Sequence, residues 1–142
     1  MLLGAGAPMT PKNIVGTILL ADDEALVRKN AIAILNEADF EVIEAVDGAD
    51  ALAKFQTYHD AISLTVLDLR MPKLNGLDAA KRIRELEHFA KIIFISGSTL
   101  HTPAEELADA FLTKPLRGRD LLNAVRRVLR QTNLQGPLAN GL

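Results

Sequence analysis

Short continuous apolar runs alternate along the chain with stretches in which apolar residues recur every three or four positions. The run TILLA at residues 17–21 predicts a strand, which ends abruptly in Asp22, Asp23 and Glu24. Val27, Ala31, Ile34, Leu35 and Ala38 then fall on one helical face. FEVIEA at 40–45 predicts a second strand. Asp47, with Asp50 three residues on, predicts a capped helix start, and that helix buries Ala51, Leu52 and Phe55. A third strand at 62–67 leads into Asp68 and a Met-Pro break. A helix over 76–86 turns Leu77, Ala80 and Ile83 inward, and KIIFIS at 91–96 predicts a fourth strand. Thr102 as N-cap, Pro103 at the first helical position and Glu105 at the third predict a helix of only about two turns. AFLT at 110–113 predicts a fifth strand ahead of Lys114-Pro115. From about residue 120, Leu121, Leu122, Val125, Val128 and Leu129 share a helical face. Residues 1–13 are rich in Gly, Ala and Pro, and residues 131–142 are polar and broken by Gly and Pro. Both read as tails around a globular unit at 14–130.

Strand followed by helix, repeated along the chain, predicts an α/β fold with a parallel sheet and helices on both faces. The continuous apolar strands agree, because parallel strands are buried on both sides. In such open sheets the chemistry gathers at the carboxyl ends of the strands.

Composition narrows the class without changing the fold. A chain of 142 residues, 49% hydrophobic, is sized for one domain with a real core. A net charge of −2 supplies no basic field for nucleic acid. The absence of cysteine removes disulfides and thiolate metal sites. The first residues lack the basic start and long apolar core of a signal peptide, and no apolar stretch approaches a membrane span. A soluble cytoplasmic protein with no membrane insertion is expected.

The strand ends hold the candidate chemistry: Asp22, Asp23 and Glu24 after the first strand, Asp68 after the third, Ser96 and Gly97 after the fourth, Lys114 and Pro115 after the fifth. Carboxylates gathered there cannot all ionise without a cation, and one lysine is not enough. Oxygen-only ligation suits Mg²⁺ or Mn²⁺. A carboxylate nucleophile beside such an ion and a lysine is equipped for phosphoryl transfer. His59, His88 and His101 lack metal-ligand spacing and read as surface residues. Arg126, Arg127 and Arg130 read as the solvated end of the last helix.

ILLADDE, VLDLRMPKLNG, IIFISG and FLTKP, in that order at successive strand ends, resemble the signature segments of the response-regulator receiver domain of two-component signalling, of the CheY-like superfamily. The resemblance covers roughly residues 14–130. It implies a flavodoxin-like (βα)5 fold with a five-stranded sheet in the order 2-1-3-4-5. It also implies that Asp68 is the phosphoacceptor, served by a histidine kinase or histidine phosphotransfer protein, with a downstream protein partner that the sequence does not name. Asp23, Asp68 and the backbone carbonyl of Arg70 would ligate Mg²⁺, with Asp22 acting through water. Lys114 would meet a phosphoryl oxygen, its bond to Pro115 would be cis, and Ser96 and Phe111 would be the switch pair. Receivers of this kind phosphorylate themselves but turn over no separate substrate, so no enzyme is expected. The chain would be a stand-alone regulator or a segment of a longer protein such as a hybrid histidine kinase.

The chain departs from the pattern in two places. The stretch from Ser96 to Lys114 is short by about one helical turn, and the Gly-Ala pair before the fifth strand is missing. A short or irregular fourth helix and a mobile loop at 97–102 are therefore expected. Arg70 stands where family members vary, and is expected to tune phosphoryl lifetime. Gly97 is expected to leave room beside the acceptor. Three other readings compete. A degenerate receiver used only for docking fits poorly with an intact acceptor, acidic pair, hydroxyl and lysine. A haloacid-dehalogenase-like phosphatase wants an acid where Arg70 stands. A flavodoxin-like cofactor binder would have to cradle phosphate with DDE.

Overall fold

A computed structural model describes residues 13–97 and 106–131. The elements are β1 (Gly16–Ala21), α1 (Ala25–Glu37), β2 (Phe40–Ala45), α2 (Gly48–Tyr58), β3 (Leu64–Asp68), α3 (Gly76–Leu86), β4 (Ile92–Ser96), β5 (Ala110–Thr113) and α4 (Gly118–Arg130). The strands form one five-stranded sheet in the order β2-β1-β3-β4-β5, and every pairing is parallel. This is the order expected from the resemblance. The expected tails lie outside the described residues except for Asn13 and Gln131, as do the expected N-cap Thr102, Pro103, Glu105, His101 and the loop from residue 98.

Alternation along the strands divides the core between two faces. Ile18, Leu20, Val66, Ile93 and Ile95 pack with Leu35, Leu121 and Val125 of α1 and α4. Leu19, Leu67 and Phe94 pack with Ala51, Phe55, Ala80 and Ile83 of α2 and α3. All five residues of β3 and of β4 are buried, as strands covered on both faces must be.

Local chemistry sets the helix ends. The Asp47 carboxylate accepts from the Asp50 N–H at 2.7 Å, and the Asp50 carboxylate reaches back to the Val46 N–H at 3.0 Å. The first bond is the expected N-cap; the second goes to the residue before the cap rather than to the cap itself, a variant of the expected capping box. Asn75 caps α3 by accepting from the Asp78 N–H. At the far end of α4, the Lys91 ammonium donates to the carbonyls of Val128 at 3.2 Å and Gln131 at 2.7 Å. It satisfies orphan carbonyls and opposes the negative end of the helix dipole.

Several boundaries differ from the sequence reading, two of them for reasons the packing shows. β3 starts at Leu64, because the Ile62 N–H is taken by the Tyr58 and His59 carbonyls at the end of α2. Ile62 is apolar because it packs under the sheet beside Phe55 rather than because it pairs in it. α4 begins at Gly118, before the apolar period does, and a Cβ there would lie 3.2 Å from Ile34 Cδ1 of α1. Residues 106–109 make a turn into β5. Arg84 of α3 ties it down, donating to the Leu107 carbonyl at 2.9 Å and the Asp109 carboxylate at 3.2 Å. No described helix is long and apolar enough to cross a membrane.

Candidate functional site

The carboxyl ends of β1, β3, β4 and β5 meet, and parallel register places their last side chains together. β1 runs into the interior at Ala21, and Asp22 follows it there, with 1% of its surface exposed. One Asp22 oxygen accepts from the Glu24 N–H at 2.8 Å, a local turn that starts α1. Arg28, one turn into α1, donates to the Asp22 carbonyl at 2.8 Å and pairs with Glu44 of β2. It thereby fixes the end of β1 against its neighbour.

Asp68 closes β3 at 3% exposure. Its Oδ1 accepts from the Arg70 N–H at 3.1 Å, and its Oδ2 accepts from Lys114 Nζ at 3.0 Å. The loop after it folds back tightly. The Gly76 N–H donates to the Leu69 carbonyl at 3.0 Å, and a Cβ on Gly76 would stand 2.3 Å from the Asp68 carbonyl oxygen. The other side of this loop rests on α2, where a Cβ on Gly48 would stand 1.6 Å from the Leu74 carbonyl oxygen. At these two positions close backbone approach leaves room for no side chain.

Ser96 ends β4, buried, opposite Thr113, and its carbonyl accepts from the Lys114 N–H at 2.8 Å. That bond brings Lys114 to the site, and the peptide that follows it, Lys114-Pro115, is cis. The Lys114 ammonium sits 2.6 Å from Glu24 Oε1, 3.0 Å from Asp68 Oδ2 and 3.5 Å from Asp22 Oδ2.

These contacts shift two ionisations. Burial, reinforced by the Asp68 charge, pushes the Asp22 carboxyl up to about 6, against the opposing pull of the Glu24 N–H and Lys114. Burial works to lower Lys114, but hydrogen bonds to Glu24 and Asp68 and the charges of Asp68 and Asp22 outweigh it. The ammonium is held above the ordinary lysine range.

A divalent ion fits this donor set. Oxygens of Asp22, Glu24 and Asp68 lie within 4.8 Å of one another. Among the described residues no donor hydrogen-bonds the buried Asp22 Oδ2, which leaves its lone pairs for a hard cation.

Of the expected residues, Asp22, Asp68, Ser96 and Lys114 come together. Asp23 is exposed and stands outside the carboxylate cluster, which takes Glu24 instead. Arg70 is exposed and contributes its N–H to the acceptor. Phe111 is half-buried, its ring 6.2 Å from that of Phe94. Among the described residues, a Cβ on Gly97 would meet no atom within 4 Å. In the sequence Glu24 stands out only as the third acid after β1, and Arg28 not at all. Glu24 shows no signal by residue type alone. Arg28 is a cation next to the apolar stripe of α1, and that is the only hint of its clamp.

Comparison with known proteins fits the same picture. The family model described as response regulator receiver domain matches residues 18–126. Chemotaxis protein CheY of Treponema pallidum is 29% identical over 87% of this chain and 90% of its own length. Response regulator RR06 of Streptococcus pneumoniae is 35% identical over 80% of this chain, which spans only 53% of that protein. Among solved structures, the CheX–CheY–BeF3–Mg²⁺ complex from Borrelia burgdorferi aligns with a TM-score of 0.78 and 28% identity, covering 83% of this chain and 92% of that one.

Proposed function

The chain belongs to the response regulator receiver domain family, and from that premise we propose that Asp68 accepts a phosphoryl group from a phosphohistidine with the help of Mg²⁺. The observation that carries the reading is the setting of Asp68. It is a strand-end carboxylate, nearly buried, with a lysine ammonium on one oxygen, a backbone N–H on the other, and two more carboxylates beside it. A carboxylate left there for structure alone would be costly.

In the transfer, an Asp68 oxygen attacks phosphorus in line, the P–N bond breaks, and its electron pair leaves with the imidazole. Lys114 neutralises one phosphoryl oxygen, and the Ser96 hydroxyl donates to another. Asp22 and Asp68, with Asp23 or Glu24, would hold the ion, joined by the Arg70 carbonyl. The ion, Mg²⁺ or Mn²⁺, would supply the rest of the charge neutralisation. Arg70, exposed beside the acceptor, governs access of water and so the lifetime of the acyl phosphate. Ser96 and Phe111 report phosphorylation to a downstream protein. The protein catalyses only its own phosphorylation and dephosphorylation.

The donor is a histidine kinase or histidine phosphotransfer protein, docking beside the site. Leu26 is 83% exposed. With Val27, Asn30, Pro115 and Leu116 it lines a surface cavity of about 470 Å³ that Lys114 borders. An apolar patch so close to the acceptor suits a protein donor that must bring its phosphohistidine within reach.

The test is intact mass after incubation with acetyl phosphate and Mg²⁺, beside an EDTA control and Asp68→Ala. One added phosphoryl group, lost in both controls, is expected. Beryllofluoride binding without phosphorylation would mean a competent site that refuses small donors. Neither would leave a docking module.

A further inference from the structure

Glu24 is the N-cap residue of α1, yet its side chain makes no cap hydrogen bond. The Asp22 carboxylate accepts from the Glu24 N–H, another of the orphan donors at the helix start. The Glu24 carboxylate turns instead to Lys114, at 2.6 Å, nearer than the 3.0 Å contact between Lys114 and Asp68. An ammonium has three protons to donate. Here three carboxylates, Glu24, Asp68 and Asp22, crowd it. Only Glu24 and Asp68 hold it by hydrogen bonds, Asp22 being a longer ion-pair contact, and a phosphoryl oxygen on Asp68 must compete with them for the ammonium. Asp22 and Asp68 are fixed in the interior, whereas the Glu24 side chain is 57% exposed and loses least by swinging into water.

Resting on the phosphoacceptor reading, we propose that Glu24 is a positioning residue, a releasable tether that parks the Lys114 ammonium in the resting site and competes with the incoming phosphoryl group for it. The tether keeps Lys114 poised over Asp68 and biases the site toward the unphosphorylated state. It acts through reach as well as charge. Aspartate at this position would keep the charge but fall one methylene short of the ammonium.

The experiment is a titration of wild type, Glu24→Gln and Glu24→Asp with beryllofluoride at saturating Mg²⁺, followed by ¹⁹F NMR. The Lys114 ¹⁵Nζ resonance is recorded in each protein before the analogue is added. Both variants are expected to bind the analogue about two- to fivefold more tightly than wild type, the worth of an exposed ion pair. Both are also expected to shift the Lys114 resonance. A Glu24→Asp variant that behaves as wild type, beside a tighter Glu24→Gln, would overturn the tether in favour of charge at the mouth of the site. Affinities unchanged in both variants, or weakened as the loss of an ion ligand would weaken them, would overturn it outright. A wild type that takes no analogue would overturn the phosphoacceptor reading, which separates that failure from failure of the tether.

Discussion

Two buried polar side chains carry opposite lessons. Asp22 is kept where its charge is unfavourable, its carboxyl raised from 3.8 to about 6. A carboxyl raised in the folded state binds its proton more tightly there than in the unfolded chain. Below about pH 4 both states are protonated and the group contributes nothing. Between about pH 4 and 6 stability falls as pH rises, and above that the full cost is present. Asp22→Asn keeps an oxygen for the Glu24 N–H and removes the charge. In EDTA at pH 7.5 it is expected to stabilise the fold by about 1–3 kcal/mol, since one pKa unit is worth about 1.4 kcal/mol. The gain should vanish towards pH 4. Urea denaturation at several pH values checks this, and a gain independent of pH would refute it. Thr65 has no such purpose. Its hydroxyl is buried in β3 with no hydrogen-bond partner among the described residues. Thr65→Val is expected to raise stability by about 1 kcal/mol, because the desolvated hydroxyl is not compensated. An unchanged or lower urea midpoint would mean the hydroxyl has found a partner.

At the scale of elements, the sequence announced strands and helices wherever burial and pairing coincide. β2 and α3 fall on their expected bounds, and the Asp47–Asp50 cap is in place. It misled where the two separate. Ile62 is apolar for packing while its N–H serves the end of α2, and Gly118 opens α4 close against Ile34 of α1. Close approach of this kind has no periodic signature, yet it shapes the site. Gly76 sits in the first turn of α3, where alanine would ordinarily favour the helix by about 1 kcal/mol. Here the added methyl would strike the Asp68 carbonyl oxygen and the Leu69 Cα, backbone atoms that cannot rotate away. The sign should therefore reverse: Gly76→Ala is expected to lose about 1–3 kcal/mol, the usual cost of overpacking. It should also slow phosphoryl acceptance, since the carbonyl it displaces belongs to the acceptor residue. A variant as stable as wild type would show that the loop yields.

Across the whole molecule, the site draws one piece from each of several strand ends, which no local stretch contains. The order of the strands made Asp22, Asp68, Ser96 and Lys114 readable from the sequence as one cluster, because parallel connections deliver successive carboxyl ends to one edge. Which of three neighbouring acids turns inward was not readable. That choice depends on the turn after β1, where Asp22 spends itself on the Glu24 N–H and Asp23 is left facing out. The assembled carboxylates exist only in the folded chain, so an ion that they bind must stabilise the fold by mass action. At an Mg²⁺ concentration a hundredfold above the dissociation constant, the gain is about 2.7 kcal/mol. For a domain of this size that raises the melting temperature by roughly 5–15 °C. Asp68→Asn removes a ligand charge and should flatten the dependence on Mg²⁺, while raising stability in EDTA by relieving repulsion with Asp22. Thermal melts of both proteins across a Mg²⁺ series test the pair of expectations together. A wild-type melting temperature indifferent to Mg²⁺ would show that the carboxylates gather without serving a cation, with Lys114 as their counter-charge.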